Sequence, residues 1–194
     1  MASPIKSGTA TVEGLPPGLL MHRFGEQNEA EEEIRTIRQE RGTTRERAEQ
    51  AAYRQADETL YAPSTWFFRS MIEVGAYRKQ RGSRKSLKYI VPAAVVVTTD
   101  IIPLLGMDGS PLKEFEVDAR PVVIPSTKGR IMCYRPRIEV WQAEIPIEVD
   151  TTILGVEDIH QLLEDAGRRQ GVGDFRPEKK GPFGRFQITK WDFK

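Results

Sequence analysis

The sequence predicts an α+β protein on the ferredoxin-like βαββαβ plan: one domain over residues 1–194, with insertions at 22–58 and 99–137. Two stretches of helical apolar periodicity, around Trp66–Tyr77 and Val156–Gln170, alternate with strand-like segments in the order that plan requires. The length, at the upper end for a single compact domain, leaves room for a core and for both insertions.

Taken in order, residues 9–14 (TATVEG) alternate and read as the first strand, closed by Gly14 ahead of Pro16-Pro17-Gly18 and LLMHRF. From Asn28 to Glu58 Glu, Arg, Gln and Ala dominate with little apolar periodicity, the composition of a solvated helical arm. Gly42 interrupts it, and Thr43 with Glu46 has capping-box spacing, so a helix is predicted from Arg45 to about Gln55. Tyr61-Ala62-Pro63-Ser64 reads as a turn into the first major helix, with Ser64 as N-cap and an apolar face of Trp66, Phe67, Met71, Val74 and Tyr77.

Leu87–Thr98 is rich in Val, Ile and Tyr and is read as a strand, with Pro92 at an edge or bulge. Residues 99–137 contain Asp108-Gly109, Lys128-Gly129 and several prolines, predicting an irregular insertion with short strands at Pro121–Ile124 and Arg130–Tyr134. Ile138–Val149 reads as a long strand alternating at Ala143, Ile145, Ile147 and Val149. Val156–Gln170 places Ile159, Leu162, Leu163 and Ala166 on one stripe and ends at Gly171, a C′ glycine. The loop GVGDFRPEKKGPFG then leads into a final strand, Arg185–Phe193.

Composition excludes several classes. The longest apolar run, Tyr89–Val97, falls well short of the ~20 residues of a membrane span, and MASPIKSGTATVEG has no apolar signal core; a soluble, cytoplasmic protein is expected. Cys133 is the sole cysteine and His22 and His160 the two histidines, so no internal disulfide and no Cys/His metal cage is expected, and no cofactor. The loop GVGDFRPEKKGPFG is neither a Walker loop, lacking GK[ST], nor a dinucleotide fingerprint, since it precedes a strand.

The formal charge of +1 conceals a division by position. Residues 76–90, 120–137 and 168–185 together hold 17 cations against Asp174 and Glu178, while the rest of the chain holds 12 cations against 26 acids. Tyr77, Tyr89, Tyr134, Phe175, Phe183 and Phe186 are interleaved with those cations. Phosphate-neutralising charge beside stacking rings is what sequence-tolerant binding of single strands requires.

Three short motifs carry a resemblance. The glycine-rich loop with Arg176, Lys179, Lys180 and Arg185, the segment Leu60-Tyr61-Ala62-Pro63-Ser64-Thr65-Trp66-Phe67-Phe68-Arg69, and Gly14-Leu15-Pro16-Pro17-Gly18-Leu19-Leu20-Met21 resemble the motifs of the RAMP superfamily, RRM-like subunits of CRISPR effector complexes. Ala62-Pro63-Ser64 lacks that family's glycine after proline, and Pro182-Phe183 stands where many members have further glycine. The chain is also similar to a family of short phage- and prophage-encoded proteins that share LLMHRF, RPVVIP and DFRPEKKGPFGRF in the same order.

The RAMP resemblance implies an RRM-like palm, a guide RNA as partner, other effector subunits, and head-to-tail oligomers along the strand. The phage resemblance implies a single-stranded DNA-binding or annealing protein, or an assembly protein. The phosphate contacts expected are Arg69 on the first helix, Arg78, Lys79, Arg81, Arg84 and Lys85 at its exit, Arg135 and Arg137, and Arg176, Lys179, Lys180 and Arg185 of the glycine loop. Tyr77, Tyr134 and Phe183 are expected to stack on bases. No catalytic residue is assigned. His22 is the candidate acid or base of a minor, metal-independent RNase reading, without a partner identifiable in the sequence. Asp118 and Asp174 lack a spaced second carboxylate for metal-assisted cleavage, and Cys133 reads as a small buried residue.

Overall fold

The computed structural model describes residues 3–23, 42–80, 82–123 and 128–193. Residues 24–41 of the predicted Glu/Arg arm, Arg81 and Ile124 therefore lie outside the described residues.

The central sheet contains β1 (Ile5–Gly14), β4 (Val95–Val97), β8 (Gln142–Asp150) and β9 (Phe186–Phe193) in the order β4-β8-β1-β9, antiparallel throughout. Helix α2 (Ser64–Val74) joins β1 to β4, and α4 (Val156–Asp165) joins β8 to β9. The second, third, first and fourth strands of a βαββαβ chain thus lie side by side, which is the ferredoxin-like order. Ala10 and Val12 of β1 and Ala143, Ile145, Ile147 and Val149 of β8 alternate into one face. They pack there against Phe67, Met71 and Val74 of α2 and Ile159, Leu162 and Leu163 of α4. Each large side chain so buried contributes roughly 1.5–3 kcal/mol.

A second sheet, β2 (Leu19–Leu20), β7 (Arg130–Ile138) and β6 (Glu116–Val123), forms a ribbon beside this core. The short α1 (Thr44–Gln50) lies on it, capped by Thr43 and Glu46 as predicted. A third pairing joins β3 (Tyr61–Pro63) to β5 (Ile101–Pro103).

Four local readings are corrected. Ser64 is the first helical residue instead of the N-cap, because the Asp100 carbonyl at the start of β5 accepts its N–H at 3.0 Å. Leu87–Thr98 is not one strand: Ser86 caps a 3₁₀ turn at Leu87–Tyr89, Pro92 enters the first turn of α3 (Val91–Ala94), where no N–H is needed, and only β4 is extended. The insertion at 99–137 holds a regular hairpin of 8 and 9 residues, longer than the short strands read from its prolines. Ile138–Val149 is two strands, because the fully buried Trp141 turns the chain and its carbonyl accepts the Gly14 N–H at 2.9 Å.

Candidate nucleic-acid interface

The glycine loop is positioned by backbone. Helix α4 continues into a π-turn, Ala166–Gln170, closed by the Gly171 N–H donating to the Ala166 carbonyl at 2.8 Å. The Asp174 N–H then donates to Leu20 O at 2.8 Å, and the Gly184 N–H to Gly18 O at 2.8 Å. Gly173 has φ +74°, and a Cβ there would lie 2.5 Å from Leu20 O, so only glycine permits this approach. Trp66 lies against the same glycine at 3.5 Å from that Cβ position. All three motif segments, scattered over the chain, therefore meet at Gly173.

Between α2 and this loop lies a cleft of about 250 Å³ bordered by Arg69, Glu73, Gly171, Gly173 and Arg176. Arg176 is held by hydrogen bonds to the Gly173 carbonyl at 2.8 Å and to Glu178. Arg69 is exposed and makes no ion pair among the described residues. Glu73 on the border of the cleft holds Lys88 at 2.8 Å. The hydrogen bond and charge of Glu73, with smaller contributions from Tyr89 and Tyr77, hold the Lys88 ammonium above its ordinary pKa. Tyr77 and Tyr89 are 78% and 80% exposed. Glu73 thus links the arginine cleft to Lys88, and Tyr77 and Tyr89 both lie near enough to that ammonium to act on its charge.

The remaining predicted residues divide. Lys79, Arg84 and Lys85 are exposed on the turn leaving the helix, and Arg81 lies outside the described residues. Arg78 ties that turn to α4 through Asp165 at 2.6 Å. Lys179, Lys180 and Arg185 are exposed around the glycine loop. Arg137 reaches the Pro17 carbonyl at 3.3 Å and spans Glu116 and Glu139 at 3.6 and 3.7 Å.

Three expectations are corrected. Phe183 is 1% exposed, beside Phe175 and beneath the Arg120 guanidinium, and cannot offer a face to a base. Tyr134 is half-buried with one face covered by Arg47 at 4.2 Å. Arg135 is 5% exposed and spent on carboxylates: it donates to Asp174 at 2.6 Å and to Asp118 at 3.4 Å, while Arg120 donates to Asp118 at 2.7 Å. A buried arginine left without these partners would be strongly destabilising, so they fix it in place.

Asp174 also lies 3.5 Å from His22 Nδ1, supplying the partner that the sequence did not reveal. Burial alone would raise the Asp174 pKa, but hydrogen bonds from His22, Arg135 and the Phe175 amide outweigh it and hold the carboxyl well below the usual range. Burial pushes the Cys133 thiol up, as for an unreactive residue. His160 is half-buried, edge-on to Trp191 at 4.9 Å.

The uncovered face of the central sheet differs in character. Thr9, Thr11, Glu13, Glu144, Pro146, Glu148 and Asp192 share it by register, with Lys190 near Asp192 at 3.9 Å. Among the described residues, acids dominate this face and no aromatic ring stands in its middle, whereas the exposed cations described above lie on the helix and loop side. Tyr89 is the residue that the sequence reading left out of the site: a strand over Leu87–Thr98 gave it no special exposure, whereas Ser86 as a cap would have placed it on an outward turn.

No family model and no curated protein matches the chain. Among solved structures it is similar to Cmr6 from Pyrococcus furiosus, at 13% identity and a TM-score of 0.48, over 97% of this chain and 100% of that one. The ferredoxin-like assignment stands on the strand order and register. Among the described residues, no helix is long and apolar enough to cross a membrane, and no cluster of three metal-ligating side chains occurs.

Proposed function

We propose that the chain binds single-stranded nucleic acid without sequence preference, along a track from the glycine loop over α2 to its exit. The observation that carries this reading is that Arg69 and Arg176 border one cleft with Gly171 and Gly173, both of positive φ, and that Glu73 of the same cleft holds Lys88, next in the chain to the exposed Tyr89. Arg69 and Arg176 take phosphates in the cleft. Tyr77 and Tyr89 stack bases. Lys79, Arg84, Lys85, Lys180 and Arg185 neutralise flanking phosphates. RNA is the favoured strand, supported by the RAMP-like motifs that build the cleft; single-stranded DNA in phage replication or recombination is the alternative. The role is binding without turnover, within the cytoplasm and alongside other subunits of an effector-type complex.

Head-to-tail oligomers belong to the same reading, because the acidic sheet face complements the basic surface of a second copy and like faces repel. The test is anisotropy of labelled oligo(U) and oligo(dT) across salt, with light scattering with and without strand. Salt-sensitive binding that leaves the strand intact, and larger particles when strand is added, are expected. Protein that ignores both strands at low salt yet forms ordered oligomers would favour an assembly role instead.

A further inference from the structure

The turn that holds the proposed track also borders a second cleft. Gly173 and Arg176 face the first, whereas Asp174 and Phe175 face the second, so a single turn of backbone divides them. The second cleft encloses about 560 Å³, within the ~300–1,000 Å³ typical of small-ligand sites. Arg135 and Asp174 line it as an ion pair whose charges are occupied with one another, with Arg135 almost wholly buried. A ligand meets the walls and the rim instead. Pro121 and Val122 of β6, with Phe175, provide apolar surface. Arg120 and Lys179 provide positive charge, and both side chains are well exposed, at 41% and 59%. Arg120 engages Asp118 through Nε, which leaves the other end of its guanidinium for an anion.

An apolar slot with a cationic rim matches a flat apolar ring joined to a phosphate. We infer that this cleft binds one mononucleotide unit, its base against Val122 and Phe175 and its phosphate on Arg120 and Lys179. The choice of a nucleotide over another amphipathic anion rests on the strand-binding reading, because a strand in the first cleft passes within one turn of the second. The unit is the end of the bound strand, an unstacked nucleotide within it, or a free nucleotide.

Titration of the full chain with adenosine 5′-monophosphate tests the site without any strand. Saturable binding is expected, weakened about tenfold or more in Val122→Trp, which fills the slot, and about tenfold in Arg120→Ala, which removes one charge-assisted contact. Melting curves identify a variant that has failed to fold, and the milder Arg120→Ala keeps the test decisive if Val122→Trp does. Absence of saturable binding by the wild type, or equal affinity in the folded variants, overturns the inference. Strands carrying 2-aminopurine at the 5′ end, the 3′ end or an internal position then identify the source: the position whose fluorescence rise disappears in Val122→Trp is the one that enters, and no response at any position identifies the free nucleotide. Failure of the strand reading appears separately, as no binding of any strand by wild-type protein that still binds the mononucleotide.

Discussion

Arg69 and Arg135 flank the same glycine-rich turn, yet one is exposed in a cleft with no ion pair among the described residues, and the other is 5% exposed between Asp118 and Asp174. Both carry the same charge and both lie in or beside the cationic parts of the sequence. What separates them is geometry: Arg69 sits on the outer side of α2, whereas Arg135 sits on β7 opposite Asp118 in the hairpin register. A cation that is buried between two carboxylates, as Arg135 is, has no face left for recognition, whereas an exposed one keeps it even beside a single carboxylate. On one side of the turn Arg69 is left open to solvent, and on the other Arg135 ties the ribbon to the glycine loop.

Breaking the buried side is expected to give the largest effects, and on stability. Arg135→Ala strands Asp118 and Asp174 with fewer partners and is expected to cost about 3–5 kcal/mol, read as a fall in the denaturation midpoint. Phe183→Ala empties a site that is 1% exposed and is expected to cost a similar ~3–5 kcal/mol. Strand affinity measured on the folded fraction of Phe183→Ala should stay near wild type; a large loss with stability intact would restore this ring as a stacking residue. On the open side, Tyr89→Ala and Tyr77→Ala should each weaken strand binding by about 1–3 kcal/mol with little change in melting temperature. Equal affinity in both tyrosine variants would move the track elsewhere.

A smaller effect concerns pH. The folded-state pKa of Asp174 lies below its unfolded value, so its contribution to stability is complete above about pH 4 and is lost as pH falls further through the folded value. Wild type should therefore lose more stability on acidification below about pH 4 than Asp174→Asn, which lacks the titrating carboxyl. Parallel acid curves for the two proteins would show that the His22–Asp174–Arg135 contacts do not stabilise the fold.

The fold was readable because periodicity survives in long elements. Ala143, Ile145, Ile147 and Val149 alternate as a half-buried strand must, and Ile159, Leu162 and Leu163 recur as a helix face must. Short elements were less legible: Leu87–Tyr89 has strand composition but is bent into a turn by Ser86 ahead of it and Pro92 after it. The candidate site was legible as residue types and not as partners. That Arg69 meets Arg176 depends on Gly173 packing on Leu20, about 150 residues away along the chain, and that Arg135 meets Asp118 depends on a hairpin register. Neither leaves a periodic trace. Phe183 was misread because a ring inside a glycine- and lysine-rich loop looks exposed, whereas Gly181 and Gly184 let that loop fold back over it.

The role of the open cleft is tested most directly by the salt dependence of strand binding in wild type and in the Arg69→Ala/Arg176→Ala double variant. If both contact phosphates, the slope of log affinity against log salt should fall by about 0.7 for each contact removed, roughly 1.4 in all, with the melting temperature close to wild type. An unchanged slope in the folded double variant, or wild-type affinity that is flat from low to moderate salt, would contradict the assignment of this cleft as the place where the strand is held.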